Sequence, residues 1–311
     1  MTTLAIIANP NAHRNRLWPL AAQVLRKAAP GVAILETRNA DELQRAAAQV
    51  VLEQPRVLAI AGGDGTVQHT LTALYRALGP ALPPIALLGG GAYDSLASLG
   101  GRGGPEERLR RLSEALASGT RLKITERDVL CASEGGLPVQ CGFRLGVGLP
   151  VRFVEAVYAT GRPGALTGAL LLARAALSSL VHGGFSKRLY EPLDLTAVVD
   201  GEEWPPLPLY GVVCTTVAEA GLGLRPFRRA TEQPGAFEIL GLTAGPRRFA
   251  LEIPRLLAGQ PARRDRLLDG VAERAELTSP RPFPWFLDGE LRGCKGRLDI
   301  SVGPRVQLVS A

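Results

Sequence analysis

The chain has 311 residues, 46% of them hydrophobic and 21% charged, which excludes a disordered chain and leaves one large or two medium globular domains. Its formal charge of +7 and pI near 9.6 favour an anionic partner such as a nucleotide or a lipid headgroup. Nucleic acid ranks last among such partners, because the basic residues are nearly all Arg (only Lys27, Lys123, Lys187 and Lys295 are Lys) and are scattered rather than gathered into a stripe.

Met1 to Pro10 lacks a basic leader and a cleavage site, so no signal peptide is expected. Cys131, Cys141, Cys214 and Cys294 are far apart and form no metal-ligand spacing. They read as buried small hydrophobes in a reducing compartment, which suits a cytoplasmic protein.

In chain order, Leu4 to Ala8 is an apolar run ended by Asn9-Pro10, the pattern of a buried parallel strand entering a loop. Helical spacing follows over Leu17 to Ala29, a strand over Val32 to Glu36, and a helix over Ala40 to Gln54 with Asp41 and Glu42 in its first turn. Val57 to Ala61 is a third strand, Thr66 to Leu78 an apolar helix, and Ile85 to Leu88 a fourth strand. This alternation predicts a mostly parallel, Rossmann-like sheet covered by helices. After about Thr120, short β-rich runs (Val139 to Val147, Leu193 to Val199, Tyr210 to Val217, Arg297 to Val302) separated by Gly and Pro predict an antiparallel sandwich. One helix is expected over Ala165 to Val181, too short and too interrupted by Arg174 to span a bilayer, and a second over Arg247 to Leu257. The expected domains are residues 1–122 (α/β, nucleotide-binding) and 123–311 (β-rich, substrate-binding), the C-terminal segment returning toward the cleft between them.

The strongest chemical signal is Gly62-Gly63-Asp64-Gly65-Thr66, a glycine turn between a buried strand and a helix. Glycines admit close backbone approach, and the helix N-terminus offers unpaired N–H groups with partial positive charge, so the turn suits phosphate. Thr66 is expected either to cap the helix or to reach a phosphate oxygen, and Asp64 to hold Mg²⁺ or orient a hydroxyl. Asp288-Gly289-Glu290 places two carboxylates on a tight turn, where one can accept a hydroxyl proton and the other assist Mg²⁺. The plain alternatives are an N-capped strand-to-helix turn and a solvated hairpin.

The Gly62 to Thr66 string resembles the signature of the diacylglycerol kinase catalytic-domain superfamily, which includes bacterial lipid kinases and sphingosine kinases. Ile6 to Pro10 is similar to that family's first strand and Asn-Pro loop, Leu88 to Asp94 to its second glycine loop, and Leu287-Asp288-Gly289-Glu290 to its Asp-Gly-Glu motif. The resemblance implies an α/β nucleotide domain, a β-sandwich, ATP with Mg²⁺ in the cleft and a lipid hydroxyl as acceptor. It implies Asp288, as the base toward the lipid hydroxyl, and Glu290 as catalytic residues, with Asn9, Pro10, Arg14, Gly62, Gly63, Asp64, Gly65, Thr66, Gly90 and Asp94 around the nucleotide. Asp64 and Glu290 would hold the metal. Peripheral contact with the inner membrane face and a homodimer are compatible with it.

The chain also departs from the family's pattern. Asn11-Ala12-His13 replaces a Ser-Gly continuation, with Arg14 and Arg16 close enough to contact phosphate instead. Gln68-His69 replaces Asn-Glu, and Gly91-Ala92-Tyr93 replaces Thr-Gly-Asn. Gly146 to Pro150 and Pro234-Gly235 each lack an Asp, and Thr215 or Thr216 replaces an Asn. Tyr93 is read as an adenine-stacking or pocket-filling residue, His69 as an ordinary helix-surface residue, and the 165–181 helix as packed on a sheet or near the lipid entrance. His13 and His182 have no assigned partner. A binding or regulatory module without turnover stays open beside the kinase, as does an NAD kinase, which shares Gly-Gly-Asp-Gly.

Overall fold

The computed structural model describes residues 3–12, 20–91, 96–162, 164–181, 183–219, 226–258, 260, 263 and 267–310. The chain divides into two compact units, residues 1–127 with 304–311, and residues 128–303.

In the first unit, strands β1 (Leu4–Ala8), β2 (Ala33–Glu36), β3 (Val57–Gly62) and β4 (Ile85–Gly90) pair in parallel in the order β2-β1-β3-β4. Every residue of β1 is buried because both faces of the sheet are covered. Leu4, Ile6 and Ala8 pack on one side with Leu25 of helix α1 (Leu20–Ala28) and with Leu109 and Leu112 of the helix at Pro105–Ser118. Ala5 and Ile7 pack on the other, against Ala46, Ala47 and Val50 of α2 (Ala40–Glu53) and Leu74 of α3 (Asp64–Leu78). The period-two alternation of one strand thus feeds two cores. Asn39 caps α2, its side chain accepting from Glu42 N at 2.9 Å. Helix α4 (Pro105–Ser118) begins with proline at its first turn, where the missing N–H costs no hydrogen bond.

The second unit is a sandwich of two β layers. Strand β5 (Lys123–Glu134) enters it, β6 (Gln140–Gly142) pairs with β5, and the chain then turns at Phe143 into β7 (Arg144–Gly148) of the opposite sheet. The single run expected over Val139 to Val147 is therefore two strands that change layers at a corner. Helices α5 (Leu149–Tyr158), α6 (Ala165–Leu180) and α7 (Gly184–Leu189) follow, then β8 (Thr196–Val199), β9 (Glu202–Glu203), β10 (Gly211–Thr215) and β11 (Phe237–Leu242). The helix expected over Arg247 to Leu257 is broken into α8 (Pro246–Ala250) and α9 (Ile253–Leu257). Pro254 has no N–H to reach the carbonyl of Ala250 and continue the first helix, and it stands instead in the first turn of the second, where that N–H is not needed.

Strands β12 (Leu267–Ala272), β13 (Arg274–Thr278), β14 (Phe283–Leu287), β15 (Glu290–Cys294) and β16 (Arg297–Ser310) complete the chain. One layer is antiparallel, in the order β12-β11-β10-β7-β14-β15. Its inward positions Leu145, Val147, Val212, Cys214, Phe237, Ile239, Trp285 and Leu287 meet Ala197, Ala275, Leu277, Leu298 and Ile300 of the other layer. The fold expected from the sequence, a parallel α/β part followed by an antiparallel sandwich, is the fold observed. All four cysteines are buried thiols, with Cys131 and Cys141 opposite each other on β5 and β6 at 3.4 Å.

Glu238 of β11 is buried, and burial pushes its carboxyl up to about 7, with Asp269 adding to the rise and the backbone N–H of Arg229 opposing it. A folded pKa above the unfolded value means the folded state keeps a proton that the unfolded state has released between pH 4.5 and about 7. Stability is therefore fullest below about pH 4.5 and declines as pH rises through 7, by roughly 3 kcal/mol if the whole rise is realised. Urea midpoints at pH 5 and 7.5 should differ less in Glu238→Gln than in the wild type. Equal pH slopes in the two proteins would exclude Glu238 as the source.

Candidate functional site

In the order β2-β1-β3-β4 the chain leaves β1 toward one edge for β2 and toward the other for β3. The topological switch point, outside whose carboxyl ends open α/β sheets bind ligands, therefore lies between β1 and β3. Asn9 and the glycine turn occupy that point. Asn9 N donates to Ala61 O at 3.0 Å, and Asn9 Nδ2 donates to Thr66 Oγ1 at 3.1 Å, tying the loop after β1 to the first turn of α3. Asn9 Oδ1 in turn accepts from Asn11 N at 2.9 Å, which turns the chain immediately after Pro10.

Helix α3 begins at Asp64, two residues earlier than its apolar spacing indicated, with Gly63 at the N-cap and no side-chain cap. Thr66 is thus inside the first turn and does not cap the helix. The first-turn N–H groups of Asp64, Gly65 and Thr66 have no carbonyl four residues back within α3, which is the local chemistry of an anion site. Asp64 Oδ1 accepts from Leu96 N at 3.1 Å, so the carboxylate ties the turn to the loop beyond β4.

The glycines serve internal packing. A Cβ on Gly62 would lie 2.5 Å from Thr66 Oγ1, and one on Gly63 would lie 2.8 Å from Gly91 Cα. Gly90, opposite Gly62 in the β3–β4 ladder, has φ 136, a conformation that favours glycine. Arg108 of α4 braces the end of β4, donating from Nη1 to Leu88 O at 3.1 Å. Neither Arg108 nor the Asn9–Thr66 bond carries a sequence signature, since both join residues remote along the chain. Gln68 is fully buried, its Nε2 donating to Thr72 Oγ1 at 3.0 Å, while His69 is exposed on α3. Arg14, Arg16, Tyr93 and Asp94, expected near the nucleotide, lie outside the described residues, as do His13 and His182.

In the second unit, Asp288 and Gly289 are the two-residue loop of the β14–β15 hairpin, with Leu287 paired to Glu290. Their φ values of 47 and 91 are those of a loop in which both residues are left-handed, the geometry for which Asp-Gly is favoured. The hairpin is not solvated at Asp288, which is 7% exposed. Asp288 Oδ2 accepts from Phe143 N at 2.8 Å and Oδ1 from Arg144 N at 2.9 Å, while Asp288 N donates to Arg144 O at 2.8 Å. A Cβ on Gly142 would lie 2.6 Å from Asp288 Oδ2, so that glycine admits the carboxylate. Tyr158 Oη of α5 donates to Gly289 O at 3.1 Å, and Glu290 is half-buried at the start of β15. Asp128 Oδ2 accepts from Gly235 N at 3.2 Å, a carboxylate brought from β5 to the turn whose own sequence lacks one.

Asp64 belongs to the first unit and Glu290 to the second. Among the described residues no group of three or more His, Cys, Asp or Glu side chains gathers at metal-binding distance.

Residues 3–124 match the family model of the diacylglycerol kinase catalytic domain. None of the curated proteins matches the chain. Among solved structures, a candidate diacylglycerol kinase from Bacillus anthracis str. Sterne is similar at a TM-score of 0.73 and 16% identity, covering 99% of this chain and 95% of that one. A diacylglycerol kinase from the same organism gives 0.63 at 13% identity, covering 99% and 97%, and a further candidate diacylglycerol kinase from that organism gives 0.70 at 16%, covering 97% and 94%. At these identities the solved structures establish the fold. The match of residues 3–124 to the family model agrees with the superfamily that the motifs resemble.

Proposed function

We propose that this chain, whose residues 3–124 match a diacylglycerol kinase catalytic domain, transfers the γ-phosphoryl group of ATP to a lipid hydroxyl. The observation that carries the reading is the meeting of the Asn9-Pro10 loop, the Gly62 to Thr66 turn and the Gly90-Gly91 segment at the switch point. There the first-turn N–H groups of α3 and the Thr66 hydroxyl would hold phosphate oxygens, and the absence of a Cβ at Gly63 lets the Gly91 backbone close on the turn. Arg14 and Asp94 complete the proposed nucleotide set.

A divalent ion such as Mg²⁺ fits as a companion of the phosphates. It takes one or two carboxylates and completes its oxygen shell with phosphate and water, so Asp64 at the turn is a sufficient protein contribution. The ion would neutralise charge developing on the transferred group.

The acceptor oxygen forms the new bond to phosphorus, the bond to the ADP oxygen breaks, and the hydroxyl proton passes to a carboxylate of the Asp288–Glu290 turn. Both Asp288 oxygens accept backbone N–H groups, which commits that carboxylate to holding the hairpin against Phe143 and Arg144. Glu290 is therefore proposed as the proton acceptor and Asp288 as the residue that shapes the turn, a redistribution of the roles the motif implied. The cytoplasmic face of a membrane is the proposed place of work.

Buried Gln68 and the twofold engagement of Asp288 also favour a second reading, a nucleotide- or lipid-binding module without turnover. Thermal-shift titration separates the steps. ATP or ADP with Mg²⁺ at a hundred times Kd should add about 2.7 kcal/mol of stability, a rise of several degrees. A flat response to all of them would remove the nucleotide reading. With nucleotide bound, labelled phosphate should pass to diacylglycerol, a sphingoid base or phosphatidylglycerol. Transfer to NAD⁺ alone would make the chain an NAD kinase, and transfer to none would support the binding module.

A further inference from the structure

Helix α6 is apolar on two opposite faces, and the described residues cover only one of them. Gly168, Leu171, Ala175 and Ser179 are buried against the second unit. At 3.6 residues per turn, Leu166, Leu170, Ala173, Leu177 and Leu180 fall on the opposite side within an arc of about 80°. All five are exposed, Leu166, Leu170 and Leu177 by 75%, 64% and 67%. A solvated helix face ordinarily carries charge, and a stripe of leucines there marks a contact surface.

The surroundings identify the partner by charge. Residues 161–190 contain four Arg and Lys and no Asp or Glu, and residues 239–251, which supply α8 beside α6, contain Arg247 and Arg248 and no acid. Arg174 flanks the stripe with its guanidinium 4.5 Å from the Phe185 ring centre, and Lys187 and Arg188 are exposed on α7. Arg247 Nε donates to Leu180 O at 3.1 Å, fixing α8 to the last turn of α6. Among the described residues no helix is long and apolar enough to cross a membrane, so α6 could bind a bilayer only by lying in its surface.

We propose that the exposed face of α6 docks on an anionic lipid bilayer, its leucines entering the boundary between headgroups and acyl chains and its arginines and lysines meeting lipid phosphates. The proposal is independent of the kinase reading, because it concerns neither the glycine turn nor the Asp288 hairpin.

The test is co-sedimentation of the full chain, without nucleotide, with vesicles of phosphatidylglycerol and phosphatidylcholine and with vesicles of phosphatidylcholine alone. Binding to the anionic vesicles is expected, weaker by tenfold or more on the neutral ones and weakened by salt. Leu170→Glu/Leu177→Glu should lower partition into anionic vesicles roughly a hundredfold, since two exposed leucines lose their burial. Its thermal midpoint should be unchanged, because neither side chain is packed. Wild-type partition by the double variant would overturn the proposal, as would equal binding to neutral vesicles. A wild-type dimer that the same variant dissociates, with no vesicle binding in either form, would assign the face to a second copy instead.

Discussion

Asp288→Asn is expected to lose about 3 kcal/mol of stability while keeping the backbone of its hairpin. Asn tolerates the left-handed conformation at φ 47 and, followed by glycine, suits this two-residue loop, so backbone strain does not contribute. What changes is the carboxylate. One of two oxygens becomes an NH2 group facing Phe143 N or Arg144 N, both within 2.9 Å. A hydrogen bond to a charged group contributes about 1.5–3 kcal/mol, and the N–H left without an acceptor beside a buried side chain costs a further 1–3 kcal/mol. Asp288→Ala should lose more, because both bonds go and a Cβ-only residue is strained at positive φ. Urea unfolding reads the difference, in whichever transition reports residues 128–303. An unchanged midpoint for Asp288→Asn would mean that the two hydrogen bonds contribute nothing net. Glu290→Gln, at a half-buried position, should keep its stability and abolish phosphoryl transfer. A dead, fully stable Asp288→Asn beside an active Glu290→Gln would return the proton to Asp288.

These two residues also show what was legible in the sequence. Asp288-Gly289 declares a tight hairpin, because few other dipeptides fit two left-handed positions, and the alternation of the flanking runs agrees with it. That the same Asp is buried under Phe143 and Arg144, some 145 positions earlier, has no local signal. The β-α-β-α order of the first unit was readable because each strand is apolar on both faces and each helix amphipathic. The start of α3 was not, because Gly63 caps it without a side chain and apolar periodicity begins only at Val67. Strands β11 to β13 carried no clear signal, since Glu, Gly, Asp and Arg interrupt their short apolar runs. Helix α6 was recognisable as a helix, but leucines on both of its faces concealed which side the protein covers.

The second large effect is expected at Gly63. Its φ of −83 is open to any residue, so Gly63→Ala carries no backbone strain, and the only obstacle is the 2.8 Å between the added Cβ and Gly91 Cα. Contacts that short are essentially never tolerated, and the atom met is backbone, which cannot rotate aside. The loops after β3 and β4 must therefore move apart. Overpacking of this kind costs about 1–3 kcal/mol. The same movement would displace the first turn of α3 from Asn9, lengthening the 3.1 Å bond to Thr66, and draw Asp64 from Leu96 N. If those N–H groups hold phosphate, nucleotide affinity should fall a hundredfold or more, a larger loss than the stability change alone would produce. Gly79→Ala is the control. Its φ of 65 is strained for alanine, but nothing lies within 4 Å of the added Cβ, so stability should fall while nucleotide affinity stays. Calorimetric titration with ATP and Mg²⁺ on both variants decides the matter. Equal affinity in Gly63→Ala and wild type would show that the junction of these loops does not hold the phosphates.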